Sequence, residues 1–129
     1  MCGIAGIFSN RADHKDSQLI HRATEKIGHR GPDGYGYFQD EYIALGHRRL
    51  SILDVSVKGA QPMTDLSRNY VIIFNGEIFN YRELRNAHFP SDHPWRSESD
   101  TELLLELYIM NGAEVLNLLR GFFAFALYS

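Results

Sequence analysis

The sequence of 129 residues holds a single cysteine. An internal disulfide is therefore excluded, and so is any cysteine-rich zinc site. The lone thiol fits a reducing compartment. No apolar run reaches the length that would cross a bilayer. The start lacks the basic region of a signal peptide. An excess of one charge is also missing: 13 Lys and Arg against 16 Asp and Glu give a formal net charge of -3. That supplies no electrostatic reason to expect nucleic acid or an anionic membrane as partner. The six histidines show no HExxH spacing, and no metal site is expected. Gly31-Pro32-Asp33-Gly34-Tyr35-Gly36 lacks the lysine and the strand–helix setting of a phosphate-cradling loop. What these absences leave is a cytoplasmic protein of one globular domain. Its hydrophobic share of 44% and charged share of 22% are ordinary, and its length allows a core.

What is there begins at the first residues, Met1-Cys2-Gly3-Ile4-Ala5-Gly6-Ile7-Phe8. If Met1 is trimmed, Cys2 carries a free α-amine beside its own thiol. An α-amine has a pKa of about 7.7–8.0, close to that of a free thiol at about 8.5. Such an amine can serve as the base for its own nucleophile, with no histidine partner. The bland reading of Cys2 is a small residue after an initiator methionine. Gly3 to Phe8 is apolar and strand-like, and a strand there would plant the terminus at the end of a buried element.

Leu19, Ile20, Ala23 and Ile27 recur at helical spacing, with Asp16 or Ser17 as cap and Gly28 as stop. The dense turn formers from His29 to Gly34 end that helix. Tyr35–Gln39 and Tyr42–His47 read as a hairpin turning at Asp40-Glu41. The stretch from Arg48 to Asp54 begins as a strand and leaves it. Lys58 to Ser67 reads as a loop. Tyr70 to Phe74 is the best strand in the chain. Asn80-Tyr81-Arg82-Glu83 and Ser99-Asp100-Thr101-Glu102 each fit a capping box. The first starts a short helix ending near Ala87. The second starts an amphipathic helix closed by Gly112, and Glu114 to Leu119 adds a turn or two. Phe122 to Tyr128 has no polar face, which predicts a strand in the middle of a covered sheet. A chain that stops one residue later is expected to be truncated.

Several residues could carry chemistry. Asn75-Gly76 is either a two-residue hairpin turn or a pair of donors, side-chain amide and glycine N–H, for a developing oxyanion. Arg49 could pair bidentately with a carboxylate, or be a surface arginine beside Arg48. Glu77 and Asp100 could hold an ammonium. Asp100 could equally be a first-turn charge favoured by the helix dipole.

Six stretches occur in order along with the Met-Cys-Gly-Ile start: Arg30-Gly31-Pro32-Asp33, His47 to Asp54, Gln61-Pro62-Met63, Phe74 to Tyr81, Ser99 to Glu102, and Gly121 to Ala126. Together they resemble the class II glutamine amidotransferase domain, in the version at the N-terminus of glutamine-dependent asparagine synthetase. The resemblance covers residues 1–129. It implies an α+β fold, the four-layer αββα N-terminal-nucleophile hydrolase sandwich of antiparallel sheets. It implies hydrolysis of glutamine to glutamate and ammonia through a cysteinyl thioester. Under it Cys2 is the nucleophile and its amine the base, and Asn75 and Gly76 form the oxyanion hole. Arg49 grips the α-carboxylate, Glu77 and Asp100 face the α-amine, and Leu50 to Ile52 lines the pocket. No cofactor is implied for this domain. ATP and magnesium belong to a synthetase domain, absent from this sequence, that would be a partner in cis or in trans; a homodimer stays open. The family domain continues past Ser129 into further strands, including an Arg-Asp-x-x-Gly segment. Two other readings stand beside this one: a non-catalytic domain of the same fold that binds glutamine or a partner, and a hydrolase of another amide.

Overall fold

A computed structural model describes residues 1–9, 17–51 and 56–129. In chain order the elements are β1 (Gly3–Phe8), α1 (Ser17–Lys26), β2 (Gly34–Gln39), β3 (Ile43–Arg49), β4 (Met63–Thr64), β5 (Val71–Ile78), α2 (Tyr81–His88), α3 (Asp100–Asn111) and β6 (Gly121–Tyr128). Short 3-10 turns occupy Gly28–Arg30, Val57–Gly59 and Gly112–Asn117. Asp16, one of two expected caps for α1, lies outside the described residues.

Two antiparallel sheets form, in the orders β1-β3-β2 and β4-β5-β6. The β2–β3 hairpin turns where expected, because Asp40 Oδ1 accepts from the N–H groups of Tyr42 and Ile43 at 2.8 and 2.9 Å. The period of two along β5 then builds the layers. Val71 and Ile73 face the first sheet and pack with Leu45 of β3. Ile72, Phe74 and Ile78 face the other way and pack with Leu103, Leu104, Leu105 and Leu107 of α3. Ile20 and Thr24 of α1 are buried on the far side of the first sheet. The stacking is helix, sheet, sheet, helices: the expected α+β sandwich of four layers.

Five local expectations need correction. The loop from Lys58 to Ser67 contains β4, because Met63 is drawn into the core opposite Ile72. β5 does not stop at Phe74. It runs through Asn75-Gly76, which pair with Ala124 and Phe123 of β6, so these two residues are not a hairpin turn. Asn80 stands at the start of α2 without capping it. Its side chain instead satisfies Leu118 O and Arg120 N, both at 2.9 Å, and ties that helix to the entrance of β6. Ser99 does cap α3, accepting from Glu102 N at 3.2 Å. Glu102 does not reach back to close the box; its carboxylate takes Ser97 N and Ser97 Oγ at 2.6 Å and Arg96 N at 2.9 Å. Nor is α3 amphipathic over its first two turns, since Asp100 through Leu105 and Leu107 are all buried.

β6 departs most from expectation. Among the described residues it is an edge strand, flanked by β5 alone. Phe123, Phe125 and Leu127 pack toward α3, and Ala126 and Tyr128 toward the first sheet. Phe122 and Ala124 are exposed. The run is apolar on both faces, but on the face turned toward the first sheet its first residues, Phe122 and Ala124, are left exposed.

Candidate active site

The site forms where the C-terminal end of β3 meets the start of β1 in one sheet and the end of β5 in the other. Gly3 pairs with Arg48, so the same register carries Cys2 to the level of Arg49. Cys2 Sγ lies against the main chain of Leu50: the amide N–H of Leu50 donates to it at 3.4 Å, and the Leu50 carbonyl is 3.6 Å away. Met1 and Cys2, Arg49, Leu50 and Ser51, Gly59 and Gln61, Phe74, Gly76 and Glu77, Ser99, Asp100 and Thr101, and Phe122 line one pocket. Six widely separated stretches of chain therefore meet there.

Most of the predicted site residues are brought together. Cys2, Arg49, Leu50, Gly76, Glu77 and Asp100 all line this pocket. Asn75 does not. The pleat of β5 sends its side chain to the face shared by Val71 and Ile73, where its Oδ1 is buried with no hydrogen-bond partner among the described residues. Ile52 lies outside the described residues. Gly76 has a special place. Its φ is +154°, and a Cβ there would lie 2.3 Å from the carbonyl oxygen of Phe122. Only glycine lets β5 and β6 approach this closely at the pocket wall.

The charges are arranged with both signs in one cavity. Arg49 lines the pocket, and its Nη1 donates to the Ser56 carbonyl at 2.7 Å. Glu77 is exposed and Asp100 is buried. Burial pushes the Asp100 carboxyl above the ordinary carboxylate range, against the downward pull of the Ile78 N–H that it accepts at 3.0 Å. One cation and two carboxylates suit a zwitterion, and a thiol in the same cavity suits attack on a carbonyl carbon.

Two residues entered the sequence reading as parts of a turn and of a family motif, with no role of their own. Arg30 donates its Nε–H to the Cys2 carbonyl at 3.0 Å. Asp33 Oδ2 accepts from Ser51 N at 2.8 Å. Their signal was the Arg-Gly-Pro-Asp stretch itself, whose charged ends a solvent turn does not require. Behind the site, His47 is fully buried with Nε2 at 3.3 Å from Phe74 O. Desolvation lowers its pKa to about 4, despite that contact and with help from the Arg49 charge, so the ring is neutral at pH 7. Among the described residues no group of three or more His, Cys, Asp and Glu could hold a metal ion. No helix among them is long and apolar enough to cross a membrane.

Known proteins share this sequence over its whole length. The family model described as "Glutamine amidotransferase domain" matches residues 1–129. Glutamine-hydrolyzing asparagine synthetase 1 of Bacillus subtilis is 43% identical over 134 aligned residues, covering 100% of this chain and 21% of the relative. Glutamine-hydrolyzing asparagine synthetase B of Escherichia coli is 40% identical, covering 99% of this chain and 23% of the relative. Amidase chyE of Penicillium rubens is 33% identical, covering 99% and 20%. The chain thus spans about a fifth of the length of these curated relatives.

Proposed function

The chain belongs to the glutamine amidotransferase domain family, and from that premise we propose that it hydrolyses glutamine to glutamate and ammonia through a thioester on Cys2. The observation that carries the reading is the shared cavity: one thiol, one arginine and two carboxylates line it together. Arg49 takes the α-carboxylate of glutamine, and Glu77 and Asp100 take its α-ammonium. The side-chain carboxamide then lies toward Cys2. The thiolate adds to the carboxamide carbon, and the N–H of Gly76 steadies the oxyanion, joined by the Asn75 amide once its side chain rotates from its buried position toward the pocket. Each such donor is worth about 10²–10³ in rate. Collapse expels the nitrogen, which takes a proton and leaves as ammonia. Water then hydrolyses the thioester to glutamate and restores the thiol.

The base in this scheme is the α-amine of Cys2, so the active form lacks Met1. Ammonia released here feeds an ATP- and magnesium-dependent amidation of the asparagine synthetase type on a partner domain; the glutaminase domain itself uses no cofactor. The alternative reading is a non-catalytic domain: while Met1 stays attached, the Cys2 nitrogen is an amide and cannot act as the base. That form would bind glutamine, or a partner, without turning it over.

Intact mass before and after an electrophilic glutamine analogue separates the two. The glutaminase reading expects loss of Met1 and one adduct, absent in Cys2→Ala. Retained Met1 with no adduct would support the non-catalytic form, and turnover by Cys2→Ala would end the thioester scheme.

A further inference from the structure

We propose that Gln61 is a positioning residue of this site, holding the donor-bearing end of β5 against the first turn of α3 through the two ends of its side-chain amide. The catalytic half of the proposal rests on the glutaminase reading; the structural half rests on geometry alone.

β4 accompanies β5 for two residue pairs only, Met63 with Ile72 and Thr64 with Val71. Continued, that register would set Gln61 opposite Phe74. The chain instead leaves the sheet at Pro62, which has no N–H to offer. Phe74 thereby loses a main-chain neighbour one residue before Asn75. A buried amide left unpaired costs about 1–3 kcal/mol. Side chains fill the place of the missing strand. Gln61 Oε1 accepts from Phe74 N at 2.6 Å, and His47 Nε2 meets Phe74 O at 3.3 Å. A backbone N–H can only donate, so the orientation of the Gln61 amide is fixed: its Nε2 points away and donates to Thr101 Oγ1 at 3.1 Å.

Thr101 follows Asp100, whose Oδ2 takes the Ile78 N–H. β5 is therefore pinned twice to the same helical turn, at Phe74 through Gln61 and at Ile78 through Asp100. Asn75, Gly76 and Glu77 are the span between the pins. The backbone of Gln61 is itself seated by the other sheet. A Cβ on Gly36 of β2 would lie 2.1 Å from the Gln61 carbonyl oxygen, so this seat exists only because residue 36 is glycine.

Oxyanion donors act through being held in place before charge develops. A misplacement of about 1 Å can cost about 10²-fold in rate. Arg49 stands on β3, outside this span, and Glu77 adjoins the Ile78 pin, which Asp100 supplies without Gln61. Loss of Gln61 should therefore lower kcat and leave KM nearly alone.

The test uses Gln61→Met, Gln61→Glu and Gly36→Ala in the intact protein, each checked for folding by circular dichroism and Tm. Hydrogen–deuterium exchange over residues 71–78 is read first. Gln61→Met should raise it by about tenfold or more, the loss of one hydrogen bond, and lower glutaminase kcat by about 10–10²-fold with KM changed less than about twofold. Gly36→Ala should reproduce the pattern without touching the pocket. Gln61→Glu keeps an acceptor for Phe74 and should restore part of both. Should Gln61→Met be too unstable, the other two variants carry the test. Wild-type exchange in folded Gln61→Met and Gly36→Ala would overturn the proposal. So would faster exchange with unchanged kcat, or a raised KM with unchanged kcat, which would make Gln61 a substrate contact. A wild-type protein without glutaminase activity would instead sink the functional reading, and exchange would still decide whether Gln61 pins β5.

Discussion

The Nε–H of Arg30 donates to the carbonyl oxygen of Cys2 at 3.0 Å, across 28 residues of chain. Three positions later, Asp33 accepts from Ser51 N with its carboxylate and gives its own N–H to Arg49 O. A single tetrapeptide therefore holds both the residue with the thiol and the segment that brackets it. Cutting the clamp leaves the thiol in place chemically and loosens it geometrically.

Arg30→Met, which keeps the aliphatic stem and removes the donors, is expected to reduce glutaminase kcat/KM by about 10²-fold. The loss should lie mostly in kcat. Steady-state kinetics on the processed enzyme check this, and unchanged constants would show that the strand end is held well enough without the clamp.

Asp100 sets function against stability. Its folded-state pKa lies above the ordinary 3.8, chiefly from burial. The stabilisation linked to it is whole below the ordinary value and is lost as pH rises through the folded one. Once ionised, the carboxyl is thus held at a cost. Asp100→Asn keeps an acceptor for Ile78 N–H and removes the charge. We expect Tm at pH 7 to hold or rise, while KM for glutamine increases about 10–10²-fold from loss of a charge-assisted contact to the ammonium. Thermal melts and kinetics on one preparation test both halves. A fall in Tm with unchanged KM would contradict the assignment.

His47 should show itself in acid. Its ordinary pKa of 6.5 falls to about 4 in the fold. The unfolded chain therefore binds the proton first. The linked stability is intact above pH 6.5 and is lost as pH falls toward 4, by roughly 3 kcal/mol in all. Urea unfolding between pH 7 and 4 should trace that loss, and His47→Gln should flatten it. An unflattened acid limb would assign the loss to other groups.

Much of the layered fold was legible because β5 and the β2–β3 hairpin carry strong local signals. Val71 to Phe74 are β-branched or aromatic, and Asp40 supplies turn chemistry that needs no distant partner. The misreadings share a cause: a side chain spent over a long range. Asn80 looks like a cap but is used by Leu118 and Arg120. Glu102 looks like the return half of a capping box but holds Arg96 and Ser97. The leucines of α3 read as one stripe, and the polar residues between them looked solvent-facing until β5 and residues 96–99 closed over Asp100 and Glu102. For the site, residue types pointed to the chemistry of Cys2, Arg49, Gly76, Glu77 and Asp100. The charged ends of Arg30-Gly31-Pro32-Asp33 hinted at a use beyond a turn, but the partners of Arg30, Asp33 and Gln61 depend on which strands end beside one another. The direction of the Asn75 side chain followed from strand continuation that Asn-Gly, a favoured turn pair, disguises.

The thiol stands on one sheet and the Gly76 amide on the other. Between the sheets lies a thin apolar layer of Leu45, Val71 and Ile73 with their neighbours. In the proposed reaction that layer would serve as a spacer gauge. Its thickness sets the gap between the Cys2 sulfur and the Gly76 amide, much as a shim sets the gap between two plates. A methylene trimmed from Ile73, remote from any substrate atom, would let the plates settle. The catalytic gap would then be tuned by hydrocarbon volume in a place no ligand ever touches.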